Sequence, residues 1–401
     1  MKQAKKENQT HRKLDDIAVY IGSGISRPFV NENIGVPVLR SNNVFDGKVI
    51  NTNLKYWFSE DPRGADLSKV KPCENDILVN FVNGSRKELG KAGLFKGIPK
   101  DCIVSTNFFI VRLDRNQANP NYINFFFQSE PYRKWLYQIA FFSGQGSFNQ
   151  QEFKKINIPT PSLPEQEKIA EVLGCWDLGI ERLEKLIDAK RKMKKGLMQK
   201  LLTGKKRFKE FKGQEWKYYK ASELFGSFSK KNNDGEELLS ATQDRGVIPR
   251  RLLEGKVMSP EGSLKGYKLV EPGDFIISLR SFQGGLEYSE YRGLISPAYT
   301  VLKPSKEIDN LFYKHYFKSY DFIGHLAVTV IGIRDGKQIS YGDFAILKLP
   351  YPPIEEQQKI ASVLNAADRE IELLCDKLDA LKNQKKGLMQ KLLTGKIRVK
   401  A

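Results

Sequence analysis

Twelve residues occur twice in this chain, and the repeat fixes what it can fold into. Lys194 to Lys205 reads KKGLMQKLLTGK, and Lys385 to Lys396 reads the same, 191 positions later. The register extends upstream without a gap: Gln166, Lys168, Ile169, Ala170, Val172 and Leu173 recur as Gln357, Lys359, Ile360, Ala361, Val363 and Leu364. Downstream, Arg207 recurs as Arg398. An identical run inside a longer ungapped match is an internal duplication with a period of about half the chain.

Both copies read as long helices. Ile169, Leu173, Trp176, Ile180, Leu183 and Ile187, then Leu197 and Leu201, alternate steps of four and three, which is a heptad seam. Lys190 and Lys194 are its polar positions. The second copy runs Ile360, Leu364, Ala367, Ile371, Leu374, Leu378, Leu381, Leu388 and Leu392, with Lys385 polar. Pro159, Pro161 and Pro164 precede one helix, and Pro350, Pro352 and Pro353 the other. Proline lacks an amide hydrogen and suits the approach to a first turn. Gly204 and Gly395 stand where a left-handed residue ends a helix. Each helix then spans about 40 residues, or roughly 60 Å. A narrow seam needs a partner helix. The economical partner is the other copy in the same chain; a coiled coil between two molecules is the alternative.

The remainder divides accordingly. After a basic arm of about 13 residues, a first globular unit runs to residue 160 and the first helix spans 161–205. A second globular unit spans 206–350, opening on a short linker, and the second helix spans 351–401. Val36 to Leu39, Asp76 to Val82 and Ile103 to Leu113 are strand-like; Tyr122 to Gln128 and Tyr132 to Phe142 are helix-like. The second unit echoes the first faintly, with Asp274-Phe-Ile-Ile against Asp76-Ile-Leu-Val, Gly293-Leu294 against Gly93-Leu94, and Leu238-Leu239 against Val38-Leu39. Twin helices with diverged globular parts suit one partner met twice and two different targets.

The net charge of +19 is spread over the chain, at +8 for 1–160, +3 for 161–205, +5 for 206–350 and +3 for 351–401. A positive field along the whole body suits a long polyanion. No apolar run is long enough to span a membrane, and the N-terminus lacks the apolar core of a secretory signal. The four cysteines form no CxxC pair, which fits a reducing cytosol and argues against zinc.

Catalytic signals are weak. Asn119-Pro120-Asn121-Tyr122 lacks the second proline of an amino-methyltransferase motif. Gly22-Ser23-Gly24 lacks the third glycine of a dinucleotide loop, and the E-x-K triplets at Glu152 and Glu254 have no matching acid. His11, His315 and His325 form no ligand or base pattern. No catalytic constellation and no metal site is expected.

Three motifs carry a family resemblance: Pro159-x-Pro161-x-x-Pro164-Glu165-Gln166, Pro350-x-Pro352-Pro353-x-Glu355-Glu356-Gln357, and the doubled KKGLMQKLLTGK-x-Arg. Over its whole length the chain resembles the specificity subunit of type I restriction–modification enzymes. The resemblance implies an α+β protein with a pseudo-two-fold internal repeat. Two α/β-mixed target-recognition domains would be separated by two long antiparallel helices forming a coiled coil. It also implies a non-catalytic, cytoplasmic chain whose domains each read half of a split double-stranded DNA site. Two methyltransferase subunits dock on it and restriction/translocase subunits join, and those partners carry S-adenosylmethionine, ATP and magnesium. The second unit opens Glu215-Trp216-Lys217, whereas the first, at His11-Arg12-Lys13-Leu14, has no tryptophan. The competing functions are a self-contained DNA methyltransferase or nuclease, and a coiled-coil adaptor with no DNA role.

DNA contacts need basic and small polar side chains on turns where backbone can approach. The first unit offers Arg40, Ser41, Asn42 and Asn43; Arg86 and Lys87; and Gln145, Ser147 and Asn149. The second offers Thr242 and Gln243; Arg280, Ser281 and Gln283; and Arg334, Lys337 and Gln338.

Overall fold

Each proline cluster delivers the chain from a short strand into a long helix. In the computed structural model, which describes residues 10–97, 101–233, 235–253, 264–329 and 339–400, the helices run Leu163–Leu201 and Ile354–Leu393. Gly204 and Gly395 end them with φ of 70° and 66°. Their amides reach back to the Leu201 and Leu392 carbonyls, and the Lys206 and Ile397 amides to those of Lys200 and Lys391. A side chain would strain both left-handed positions.

The compact units do not follow the linear order. One comprises the chain up to Leu183 together with the segment from Lys377 onward; the other is Glu184–Asp376. Each therefore holds one globular domain, the first half of the helix that follows it and the last half of the other helix. In each unit the start of one helix and the end of the other share a single core.

In the first unit a six-stranded sheet runs Ala18–Ser23, Phe108–Leu113, Ile77–Asn80, Ala92–Leu94, Gly47–Val49, Val44–Phe45. A three-stranded sheet pairs Ile103–Val104, Val36–Leu39 and Lys55–Trp57. One face of the larger sheet packs on Tyr122, Phe127, Tyr132, Phe148 and Phe153. The same core takes in Ile169 and Leu173 from the first helix and Met389, Leu392 and Leu393 from the second. Asp76 is buried and accepts both arms of Arg112, at 2.9 and 2.8 Å, plus the Cys73 amide.

The second unit is built alike, with fewer strands among the described residues. Its four-stranded sheet runs Phe225–Phe228, Thr300–Pro304, Phe275–Ile277, Glu287–Tyr288. Its core joins Phe225, Tyr313, Phe317 and Phe322 to Leu201 and Leu202 of the first helix and Ile360 and Leu364 of the second. Asp274 repeats the Asp76 turn. It accepts the Glu271 amide and faces Lys303 at 3.4 Å, and burial holds its carboxyl above the usual range. The α+β character is common to both units.

Of the seam residues, Ile169, Leu173, Ile180, Leu183, Ile187, Ile360 and Leu364 are buried. Trp176, Ile371, Leu374, Leu378 and Leu381 are half-buried. Leu178, Leu186, Met193 and Leu373, off the seam, are exposed. The polar seam positions are ion-paired: Lys190 with Glu370 at 2.5 Å, Lys194 with Asp368, and Lys385 with Asp177. Among the described residues no helix is long and apolar enough to cross a membrane, and no cluster of His, Cys, Asp and Glu is placed to hold a metal.

Candidate nucleic-acid interface

Two candidate stretches of the first unit meet in space. Gly146 and Ser147 pair antiparallel with Asn83 and Val82. That ladder sets the loop carrying Gln145 beside the turn carrying Arg86 and Lys87. Phe141 and Ser147 exchange backbone hydrogen bonds at 2.8 and 2.9 Å and close the base of their loop. The buried Phe148 pins its far end against Phe81 and Phe109. The opposite turn is tied as firmly. The Glu88 and Leu89 amides reach the Ser85 carbonyl, and Ser85 donates its amide to Asn83 Oδ1 at 2.9 Å. Arg133 donates to the Lys87 and Leu89 carbonyls, and Tyr137 Oη to the Arg86 carbonyl. Arg86, Lys87 and Gln145 are exposed on this fixed frame. Asn149 has a different duty, since its side chain caps the helix Gln150–Lys154 by accepting the Glu152 amide at 2.8 Å.

The Arg40 stretch divides. Asn43 is fully buried, donates to the Thr52 carbonyl at 2.7 Å and accepts the Arg40 amide at 3.0 Å. Its side chain is spent on the turn and cannot reach DNA. Ser41 is half-buried and Asn42 exposed. Arg40 donates Nη2 to the Asn53 carbonyl, while its Nε is buried with no partner among the described residues. Burial disfavours its charged form, so an anion beside it would be stabilising.

The second unit also joins two stretches. Gly284 lies against the Gln243 side chain, leaving little room for a Cβ. Lys318 donates to the Gln243 and Gly284 carbonyls, at 3.3 and 3.0 Å, and to the buried Glu287 at 2.7 Å. Glu287 sits in an apolar surround that pushes its carboxyl upward. The turn Ser281–Gly284 ends on Gly285 at φ 73°, where a Cβ would overlap the Phe317 carbonyl oxygen. Arg280 and Gln283 are exposed. Ser281 is buried, accepts the Ser278 amide at 2.8 Å and holds the turn, so it presents nothing outward. Thr242 caps its own hairpin, donating to the Gly246 carbonyl and accepting the Arg245 amide. Arg334, Lys337 and Gln338 lie outside the described residues.

Sequence reasoning overlooked a second constellation, where the helices enter the domains. Glu165 takes both arms of Arg398 at 2.7 Å and the Val399 amide at 3.3 Å. Glu356 takes both arms of Arg207, at 2.8 and 2.5 Å, and Trp216 Nε1 at 2.8 Å. Arg398 holds Glu165 below the usual carboxylate range, and Glu356 raises Arg207. Tyr122 Oη donates to the Pro159 carbonyl and Tyr313 Oη to the Pro350 carbonyl, each at 2.8 Å. Gln166 accepts the Asn119 amide and donates to the Pro161 carbonyl; Gln357 does the same with Asp309 and Pro352. Glu165, Gln166, Arg207, Tyr122, Pro159 and Pro161 each have their counterpart 191 residues on, while Asp309 stands 190 residues after Asn119. That offset was the available signal, had it been applied to pairs rather than to single residues.

The fold and these repeated joints define a tandem repeat, two α+β modules each clamped to a pair of helix halves. The model of the type I restriction modification DNA specificity domain matches twice, at residues 7–190 and 213–383. The chain is 30% identical over 417 residues to a proposed type I restriction enzyme specificity subunit, MjaX, of Methanocaldococcus jannaschii, covering 97% of this chain and 93% of that one. It is 24% identical over 397 residues to the type I restriction enzyme EcoKI specificity subunit of Escherichia coli K12, covering 91% and 81%. Its fold matches the S subunit of the type I restriction-modification system of M. genitalium with a TM-score of 0.57, at 17% identity and over 98% of each chain. This chain belongs to the type I restriction-modification DNA specificity family.

Proposed function

We propose that the two modules read the two halves of a split double-stranded DNA site, and that the helices, paired as an antiparallel coiled coil, set the gap between them. One observation carries this reading: the joints between helix and module recur at a single offset, while the exposed loops do not. Equal joints give each reader the same fixed seat on the spacer, and unequal loops give each a different sequence to read. Arg86, Lys87 and Gln145 on one module, and Gln243, Arg280 and Gln283 on the other, are the side chains offered to base edges and phosphates. The spread of positive charge supports association with the DNA backbone, which makes binding steeply salt-dependent.

The chain carries recognition, and partner subunits carry catalysis. Two grooves support repeated docking of one partner. Ser129, Glu130, Lys386, Met389 and Gln390 line a groove of about 180 Å³ in the first unit. Ser319, Tyr320, Lys195, Met198 and Gln199 line one of about 440 Å³ in the second. Their helix residues are related by the same offset. In this reading two methyltransferase subunits dock there and restriction/translocase subunits join them in the cytoplasm. S-adenosylmethionine, ATP and magnesium are bound by those subunits.

Methylation-aware sequencing of cellular DNA, with this gene present or deleted beside its modification partner, tests the proposal. The expected result is a bipartite motif with one constant gap that disappears on deletion. A continuous motif, or one that survives deletion, overturns it.

A further inference from the structure

We infer that Arg86 reads a guanine in the half-site of the first module, and that Phe142 is the residue that positions it. This rests on the proposed role of the chain as a DNA sequence reader. The Arg86 guanidinium stands over the Phe142 ring, 4.2 Å from its centroid. Phe142 in turn neighbours Tyr137, with centroids 6.2 Å apart, and Tyr137 carries the Arg133 guanidinium at 5.6 Å. The result is a ladder of cation, ring, ring, cation. Arg133, at one end, is half-buried and Arg86, at the other, is exposed.

The ladder and the loop are braced by the same side chains. Arg133 and Tyr137, the two rungs farthest from Arg86, also hold the carbonyls of Leu89, Lys87 and Arg86. The backbone that launches Arg86 and the ring that receives its guanidinium are therefore fixed to one helix, Glu130–Ile139. Long side chains on exposed turns ordinarily lose rotamer entropy when they bind. Here much of that ordering precedes the ligand, which raises affinity and directional selectivity.

A guanidinium over a ring is held by cation–π attraction and keeps N–H donors for another partner. A planar fork of donors matches two acceptors side by side. In the major groove guanine presents such a pair, O6 and N7, whereas adenine sets one acceptor beside a donor. A phosphate also offers two oxygens to such a fork, but it carries no base identity, so a phosphate contact would leave the motif unchanged. The neighbouring Lys87 is exposed and without such a ring, and it suits that duty.

The test uses the full chain assembled with its modification subunits and a library of double-stranded DNA in which each position of the motif is randomised. The methylated products are sequenced for wild type, Arg86→Lys, Phe142→Ala and Phe142→Tyr. Arg86→Lys and Phe142→Ala are expected to lose roughly 5- to 150-fold discrimination for one guanine in one half-site, the range one bidentate contact supplies. The other half-site stays unchanged, and Phe142→Tyr, which keeps a ring, retains the guanine. Replacing that guanine by 7-deazaguanine, which lacks N7, reduces wild-type methylation and leaves Arg86→Lys indifferent. An unchanged motif in Arg86→Lys overturns the inference. So does a uniform loss over all sequences in Phe142→Ala with a smaller salt slope, the mark of a phosphate contact. Absence of any split motif with the wild-type complex removes the functional proposal itself, a separate outcome visible before any variant is made.

Discussion

Arg207→Ala is expected to cost more than its counterpart Arg398→Ala, although the two arginines hold equivalent carboxylates. The Glu356 side chain is fully buried and Arg207 is 15% exposed; Glu165 is 6% and Arg398 44% exposed. Removing Arg207 leaves an ionised carboxylate out of water with Trp216 Nε1 as its remaining donor. Breaking one side of a buried pair costs about 3–5 kcal/mol. Removing Arg398 opens Glu165 to solvent and leaves the Val399 amide in place, so the loss is closer to one charge-assisted hydrogen bond, about 1.5–3 kcal/mol. Native-state hydrogen exchange on the full chain separates the two, because each unit has its own reporter strand, Phe108–Leu113 in the first and Thr300–Pro304 in the second. The Arg207 variant should deprotect the second strand and the Arg398 variant, less strongly, the first. Adding Glu356→Gln to Arg207→Ala should recover much of the loss, since the stranded charge is what costs. Equal deprotection in the two single variants, or no recovery in the double, would refute the reasoning.

Two further outcomes follow from the repeated joints. Tyr122→Phe and Tyr313→Phe each remove a buried hydroxyl and leave a proline carbonyl unsatisfied, so each should cost about 1–2 kcal/mol. The two losses should agree to within about 0.5 kcal/mol, because the surroundings are equivalent; urea unfolding measures both, and a large disparity would count against equivalent seats. His315 breaks the symmetry: it is buried, bonds to Asn365 Oδ1 at 2.8 Å, and faces Asp368, Lys194 and Lys314 where the first module has Asn124. Burial lowers its pKa below the ordinary 6.5, so on acidification the unfolded chain takes up the proton first. Its contribution is then fully present above about pH 6.5 and shrinks as pH falls from there to the folded value. His315→Asn should flatten the pH dependence of the second unit over that window, and an unchanged slope in hydrogen exchange would contradict this.

The helices were legible because a seven-residue apolar repeat is a local signal and both copies carry it. The strands at Val36–Leu39 and Phe108–Leu113 were legible for the same reason, as largely apolar runs closed by turns. Partner choice was not. Asp76 meets Arg112 and Asp274 meets Lys303, but the acids are 198 apart and the bases 191, so no single alignment register shows the two pairs as one. Polar residues on turns were equally ambiguous. Asn43 and Ser281 have the composition of a contact loop, yet their side chains satisfy backbone groups inside it. The interleaving of the units was hidden because a heptad states that a helix has a partner and not which end of the chain supplies it.

The identical dodecads exceed what the cores require. Leu201 and Leu202 serve the second core, and Met389, Leu392 and Leu393 serve the first, so packing accounts for the apolar half of KKGLMQKLLTGK. It does not account for Lys195, Gln199, Lys200 and Lys205, which recur as Lys386, Gln390, Lys391 and Lys396 and are exposed in both units. Exposed positions away from caps and pairs tolerate exchange at a cost of about 0.5 kcal/mol or less, and elsewhere on these two modules they have diverged freely. The proposed docking of one partner in two places would supply a reason for that repeat. In the proposed assembly, identity of the outer face is what one partner bound in two places requires, just as divergence of the Arg86 and Arg280 loops is what reading two different sequences requires.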